Sequence, residues 1–257
     1  MSTIPGSDFP DFDVIKSDTT HKITPNKLYE LFLKTSFAMA NQDWRHYLNG
    51  CLFEKTGSSI NMVATDAHRL AIYKSNLEGE GDFTGIVPRK TVIELMKILP
   101  KQEDEIEFYI NSNNIVFMSK KFTFKSKLID GNYPNYNQVV PQGEGSKITF
   151  NRKNMLDSLS RVSVLTSEKF KGVKLKTESG VLDISAHNPD QESAEEKLDV
   201  TSAGNEFDIA FNVNYLKEVL GTIDEEEISL ISFGSDKSAL VESGDSNQVL
   251  VLMPLLL

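Results

Sequence analysis

Ile23-Thr24-Pro25-Asn26-Lys27-Leu28 and, 125 residues further on, Ile148-Thr149-Phe150-Asn151-Arg152-Lys153 open two stretches of one design. The first leads into an amphipathic segment, residues 26–40, with Leu28, Leu31, Thr35 and Ala38 at helical spacing; the second leads into residues 151–164, with Met155, Leu159 and Val162. A second correspondence follows at an offset near 124: Ile86-Val87-Pro88 runs into Thr91 to Leu99, and Ala210-Phe211-Asn212 runs into Tyr215 to Leu220. A fixed offset between like segments marks an internal repeat, and a repeat decides architecture before any local feature does.

Each half reads as a helix, strand-like alternation, a second helix and more strands, for example 106–110 with 115–118, and 228–233 with 239–241. Asn151 and Asn212 are candidate N-caps, Pro88 stands at a helix start, and Pro100 and Gly221 mark helix ends. Helices separated by several hairpin strands, without strict strand–helix alternation, predict an α+β fold: two tandem domains, each with two helices packed on antiparallel sheets. The polar, Gly-rich run Pro141-Gln-Gly-Glu-Gly-Ser146 sets the boundary, giving domains 21–142 and 143–257 after an extended leader, 1–20. A chain of 257 residues suits two cores of ordinary size.

With 39% hydrophobic and 25% charged residues the composition is that of a packed globular protein. The single Cys51 excludes an internal disulfide, and neither a signal segment nor a long apolar run appears, so the expected compartment is the cytoplasm, with no membrane association. Cys51 sits in the apolar stretch 48–53 and reads as a small buried hydrophobe.

A formal net charge of -10 argues against nucleic acid unless the positive charge is gathered in one place. It is gathered on the helices. Segments 26–40, 88–101, 151–164 and 212–222 hold ten basic and four acidic residues, a net of +6 against -16 for the remainder. Helices lying on one face would let an acidic protein present a basic lane; the plainer reading is ordinary alternation of Lys and Glu on solvated helix faces.

Little points to covalent chemistry. The four histidines, at 21, 46, 68 and 187, stand in no HExxH, and CxxC and GxSxG are absent, so no metal, cofactor or catalytic residue is assigned. Gly143-Glu-Gly145-Ser-Lys147 lacks the ending of a phosphate loop and reads as a linker. Thr65-Asp66-Ala67-His68-Arg69 is the one constellation that invites acid–base chemistry, and a hydrolase using Asp66 and His68 is the contrasting function; without a nucleophile or metal partner it reads as a polar turn between strands at 61–64 and 70–73.

Tyr47-Leu-Asn-Gly-Cys-Leu-Phe53, Val63-Ala-Thr-Asp-Ala-His-Arg-Leu-Ala71, Ile86-Val-Pro-Arg-Lys90 and Ser126-Lys-Leu-Ile-Asp-Gly-Asn-Tyr-Pro-Asn-Tyr136 resemble, in order and spacing, successive signatures of the bacterial DNA polymerase sliding clamps. Ser167-Glu-Lys-Phe-Lys-Gly172, Ala186-His-Asn-Pro-Asp-Gln-Glu192, Phe211-Asn-Val-Asn-Tyr215 and Val251-Leu-Met-Pro-Leu255 extend the resemblance over residues 4–257. It implies the second and third of the family's three DNA-clamp domains, with Ile4 to Pro10 similar to the linker that follows the first.

The resemblance further implies a scaffold and not an enzyme: a processivity factor for DNA replication and repair that encircles double-stranded DNA without reading bases. Lys27, Lys34, Arg89, Lys90, Lys97, Arg152, Lys153, Arg161 and Lys217 are the expected DNA-facing set. It also implies a cleft between the domains that takes linear motifs of DNA polymerase subunits, the clamp loader and repair proteins. The matching positions are Leu48, Thr65, Ala67, His68, Arg69, Leu70, Pro134, Val139, Phe170, Asn212, Tyr215, Ser238, Val251, Leu252, Met253, Pro254, Leu255 and Leu257. Three departures bear on motif preference: Ala67 where the family commonly has Gly, Gln138 where a base is frequent, and the Leu255-Leu256-Leu257 ending. Six domains from two-domain chains require a homotrimer; the alternative is a monomer that binds partner peptides without encircling DNA.

Overall fold

The computed structural model describes residues 3–8, 19–166, 171–190, 192–203 and 208–255. Among them are four α-helices: α1 (Pro25–Leu33), α2 (Arg89–Ile98), α3 (Arg152–Val162) and α4 (Val213–Gly221). Thr24 caps α1 by accepting from the Lys27 N–H, with Pro25 in the first turn where its missing N–H costs nothing. Asn151 caps α3 through Asn154 N, and Asn212 caps α4 through Asn214 N and Tyr215 N. The expected segment 26–40 is helical only to Leu33. Beyond Lys34 the chain tightens into a short 3₁₀ turn, Ser36–Ala38, with the Thr35 hydroxyl donating back to Leu31 O.

The strands form two sheets of four and one of nine. The nine-stranded sheet runs without a break through both halves. Its order is Thr201–Ala203, Ser146–Asn151, Glu227–Ser232, Ala239–Glu242, Gln248–Leu252, Arg69–Asn76, Ser59–Thr65, Gly50–Thr56, Phe83–Pro88. The two modules are thus fused by one antiparallel pairing, Gln248–Leu252 against Arg69–Asn76, with Val251 opposite Leu70 and Leu250 opposite Ala71.

Side chains alternate across a strand, so one cross-strand row identifies each face. Ala64, Ala71, Leu250, Val241, Leu230 and Ile148 form such a row by register, all are buried, and all belong to the main core. The same core holds Leu28 and Leu31 of α1, Val92 and Leu95 of α2, Met155 and Leu159 of α3, and Leu216 and Val219 of α4. All four helices therefore pack on one face of the continuous sheet, α1 beside α2 and α3 beside α4. The opposite face carries a smaller apolar cluster of Leu52, Val63, Leu70, Ile72, Ile86 and Val251. Cys51 is fully buried on the helix side, and burial pushes its thiol up to about 12, as an unreactive core residue requires.

Candidate protein-docking cleft and helix face

The two modules meet around the tip of the hairpin between Ser59–Thr65 and Arg69–Asn76, and the sequence of that tip explains its shape. Asp66 Oδ1 accepts from the N–H groups of His68 (2.9 Å) and Arg69 (3.0 Å), which fixes the turn. Thr65 Oγ1 donates to Arg69 O at 2.6 Å and accepts from Ala67 N at 3.1 Å. Ala67 takes φ 73°, a left-handed conformation that Gly reaches more cheaply.

From this tip Arg69 reaches across the seam. Its guanidinium donates to Asp66 Oδ2, to Glu218 of α4 and to Phe37 O (2.7 Å), and lies 4.4 Å from the centroid of the Tyr215 ring. His68 stacks on the same ring at 5.8 Å. The C-terminal segment closes the arrangement: Met253 N donates to His68 O and Leu255 N to Ala210 O, both at 2.8 Å, while the Ser238 hydroxyl meets Met253 Sδ at 3.0 Å. A groove of about 940 Å³ opens beside the tip, walled by Phe37, Asp43, Trp44, His68, Arg89 and Tyr215 among others. The Arg45 guanidinium, bonded to Asp43, holds that carboxyl down to about 2.

The expected cleft residues fall into distinct places. Thr65, Ala67, His68, Arg69, Tyr215, Ser238, Met253 and Leu255 gather at the tip and the tail beside it, with His68 and Met253 solvent-exposed. Leu70 and Val251 lie buried on the far face of the sheet, near Tyr133, Tyr136 and Val140, with Pro134 and Val139 exposed on the segment that follows. Leu48 and Leu252 are 2% and 1% exposed, and Leu252 points into the helix-side core. Asn212 spends its carbonyl oxygen on capping α4. Phe170 and Leu257 lie outside the described residues, as does most of the leader.

Sequence reasoning passed over Trp44 and Phe37. Trp44, the single tryptophan, is 82% exposed on the groove wall, and a lone tryptophan in a polar segment was a signal to be had. Tyr133 was also missed as a support: its hydroxyl accepts from Thr65 N at 3.0 Å and steadies the hairpin from behind. Asp66 has both oxygens engaged by the turn and by Arg69, and His68 stacks on Tyr215, so this pair is arranged as a turn and not as an acid–base couple.

The helix cations are more occupied than their number suggests. Lys34 is not on an open face: its ammonium is buried and bonded to Thr222 O (2.8 Å) and Asp224 (2.6 Å), a strut from α1 to the segment after α4. Arg152 donates to Glu225 O, Arg161 pairs with Glu196, Lys97 with Glu94, Arg89 with Met39 O, and Lys27 with Asn76 O. Among the described residues, Lys90 and Lys153 are exposed and make no such bond, and Lys217 is half-buried without one.

Comparison with known proteins gives a consistent result. Residues 22–135 match the family model for the DNA polymerase III beta subunit, central domain, and residues 137–256 match that for its C-terminal domain. The beta sliding clamp of Pseudomonas aeruginosa is 39% identical over 258 residues, covering 99% of this chain and 70% of the relative. That of Escherichia coli strain K12 is 38% identical over 257 residues with the same coverage. The crystal structure of the P. aeruginosa subunit superposes with a TM-score of 0.95, covering 100% of this chain and 71% of that one.

Proposed function

The chain belongs to the DNA polymerase III beta-subunit family of sliding clamps, processivity factors with no catalytic activity of their own, and on that premise we propose how it works. It tethers polymerases to double-stranded DNA by surrounding the duplex with its helix faces, and it recruits those polymerases, the clamp loader and repair proteins through linear motifs that dock at the seam. The modules act as units of 21–142 and 143–257, in the cytoplasm at the nucleoid. The observation that carries this reading is the single face shared by all four helices across a sheet that does not break between modules.

The mechanism needs no bond-making. A ring retains DNA by topology, so its lining has only to be weakly positive and blind to sequence; tight phosphate contacts would arrest sliding. Exposed Lys90 and Lys153 supply such a field, tempered by the carboxylates that hold Lys97 and Arg161. At the seam, Tyr215 and Met253 offer an apolar rim with His68 and Ser238 as polar orienting groups, the chemistry suited to a short peptide with hydrophobic anchors.

A fluorescent peptide bearing two apolar anchors, titrated into the protein, tests the docking seam. His68→Ala removes the stack on Tyr215 and should weaken binding by about tenfold. Equal affinity for the wild type, His68→Ala and Met253→Ala would end the cleft reading. Retention on circular but not linear DNA separates the ring from the peptide-binding monomer.

A further inference from the structure

Glu54 and Asp130 belong to neither the helix face nor the expected cleft, yet they line one cavity on the far face of the sheet. The segment after Thr123–Lys127 returns along Phe83–Pro88 and is tied down where Ile129 N donates to Ile86 O at 2.9 Å. Between that segment and the sheet the cavity has a volume of about 370 Å³. Leu52, Ile86 and Ile129, all of the far-face apolar cluster, give it a greasy lining. The two carboxylates share that lining, and no Lys, Arg or His does. An enclosure with charge of one sign and low-dielectric walls focuses its field on a counter-charge.

The carboxylates have bonding capacity to spare. Glu54 Oε1 accepts from the Tyr136 hydroxyl and from Asn61 Nδ2 at 3.2 Å, which holds the group in place. Its Oε2 meets no donor among the described residues, and neither oxygen of Asp130 does. Glu54 lies opposite Thr84, and Ile129 opposite Ile86, so Glu54 and Asp130 stand two strand spacings apart, about 10 Å. That distance decides the class of cation. A metal ion draws its carboxylate oxygens to within about 2.6 Å and cannot bridge the pair, and a hydrated ion gains nothing from an apolar wall. A chain of methylenes with an ammonium at each end meets both demands.

We infer that the cavity binds a linear aliphatic diamine or polyamine, one ammonium on Glu54 Oε2 and another on Asp130, with its methylenes against Leu52, Ile86 and Ile129. The Tyr133 and Tyr136 side chains in the wall add aromatic surface that suits an ammonium. Pro134 also lies in the wall, which sets the cavity beside the segment that carries expected cleft residues. The inference nevertheless rests on the cavity alone: a seam that fails to bind peptide leaves it untouched, so the two readings fail separately.

The test is methyl NMR of the whole chain titrated with spermidine at about 150 mM salt. The Leu52, Ile86 and Ile129 methyls should shift and saturate with a Kd below about 1 mM. Butylamine, with one ammonium, should bind at least about tenfold more weakly, and Mg²⁺ should leave those methyls unmoved. Glu54→Gln and Asp130→Asn should each raise the Kd at least about fivefold. Glu103→Gln/Glu105→Gln, which removes exposed acid outside the cavity, should leave it unchanged. Asp130 is exposed and holds no described partner, so Asp130→Asn tests the site without disturbing the fold, whatever Glu54→Gln does to the Tyr136 contact. Shifts that spread without saturating, a Kd raised equally by the Glu103/Glu105 variant, butylamine bound as tightly as spermidine, or Asp130→Asn binding as the wild type does would each overturn the inference.

Discussion

Arg69→Ala should loosen the joint between the modules more than any other single truncation at the surface of the seam. The side chain is 8% exposed and serves Asp66, Glu218, the Phe37 carbonyl and the Tyr215 ring together. Its removal does not cost the sum of those contacts. Asp66 keeps two backbone donors, and Glu218, 52% exposed, regains water, so that ion pair is heavily discounted. What is lost outright is the 2.7 Å bond to Phe37 O, the buried bond to Asp66 and the ring contact. Together these amount to about 3 kcal/mol, near the lower end for breaking a buried pair. For a chain of this size that lowers Tm by about 6–12 °C. Calorimetry reads the shift, and hydrogen exchange should quicken in Arg69–Asn76 and Gln248–Leu252 before it does in α2. Arg69→Lys keeps the charge but not the fork and should fall between. A Tm change below about 1 °C, or exchange unaltered at the seam, would refute the assignment of Arg69 as the clasp.

Three further outcomes follow from buried or strained groups. Lys55, 1% exposed, donates to the carbonyls of Gly57, Gly79 and Gly81, so Lys55→Met orphans three acceptors and should cost about 2–4 kcal/mol, seen as a lower denaturation midpoint and faster proteolysis near residue 80. His21 is buried against Phe83 and Phe108, and desolvation, then Lys55, lowers its pKa below 6.5; the unfolded chain takes up a proton as pH falls through 6.5 while the folded chain resists, so its contribution is complete above that pH and is lost below it, and His21→Leu should flatten the slope of stability between pH 7 and 5. Ala67→Gly relieves a left-handed alanine and should leave stability unchanged or raise it by about 0.5–1 kcal/mol, measured as Tm; a loss of that size would show that the Cβ is held by packing.

The repeat made the architecture legible because it writes the same helix starts twice: Asn151 and Asn212 cap helices as their chemistry predicts, and Met155, Leu159 and Val162 all point inward. The end of α1 was not legible. Residues 34–40 keep an apolar spacing, yet the backbone leaves the helix there, placing Phe37 O where Arg69 can reach it, and no local propensity encodes a partner 32 residues away. The continuous sheet was hidden for the same reason. Alternation says which face of Gln248–Leu252 is buried but not that its neighbour is Arg69–Asn76. At the site, the hairpin tip was readable through resemblance, whereas the groove wall at Phe37 and Trp44 follows no period that a single sequence displays.

Charge shows the limit of composition most clearly. Counting cations by helix gave an excess of +6, but the groups that answer Lys34, Arg152 and Arg161 are Asp224, Glu225 O and Glu196, all on loops or strands outside the counted segments. For Lys34 and Arg161 a helix-by-helix sum assigns the cation to the lane and its carboxylate to the remainder, although each pair is one neutral unit; Arg152, bonded to a backbone carbonyl, is held in place but keeps its charge. Pairing of this kind removes tight local phosphate sites and leaves exposed Lys90 and Lys153 on separate modules. On the proposed reading that suits a sliding surface, since counterion release scales with the number of phosphates neutralised. Lys90→Ala/Lys153→Ala should then weaken open-form DNA binding and flatten its salt dependence by about two in log–log slope. A slope unchanged by both substitutions would place the DNA-facing charge elsewhere on the molecule.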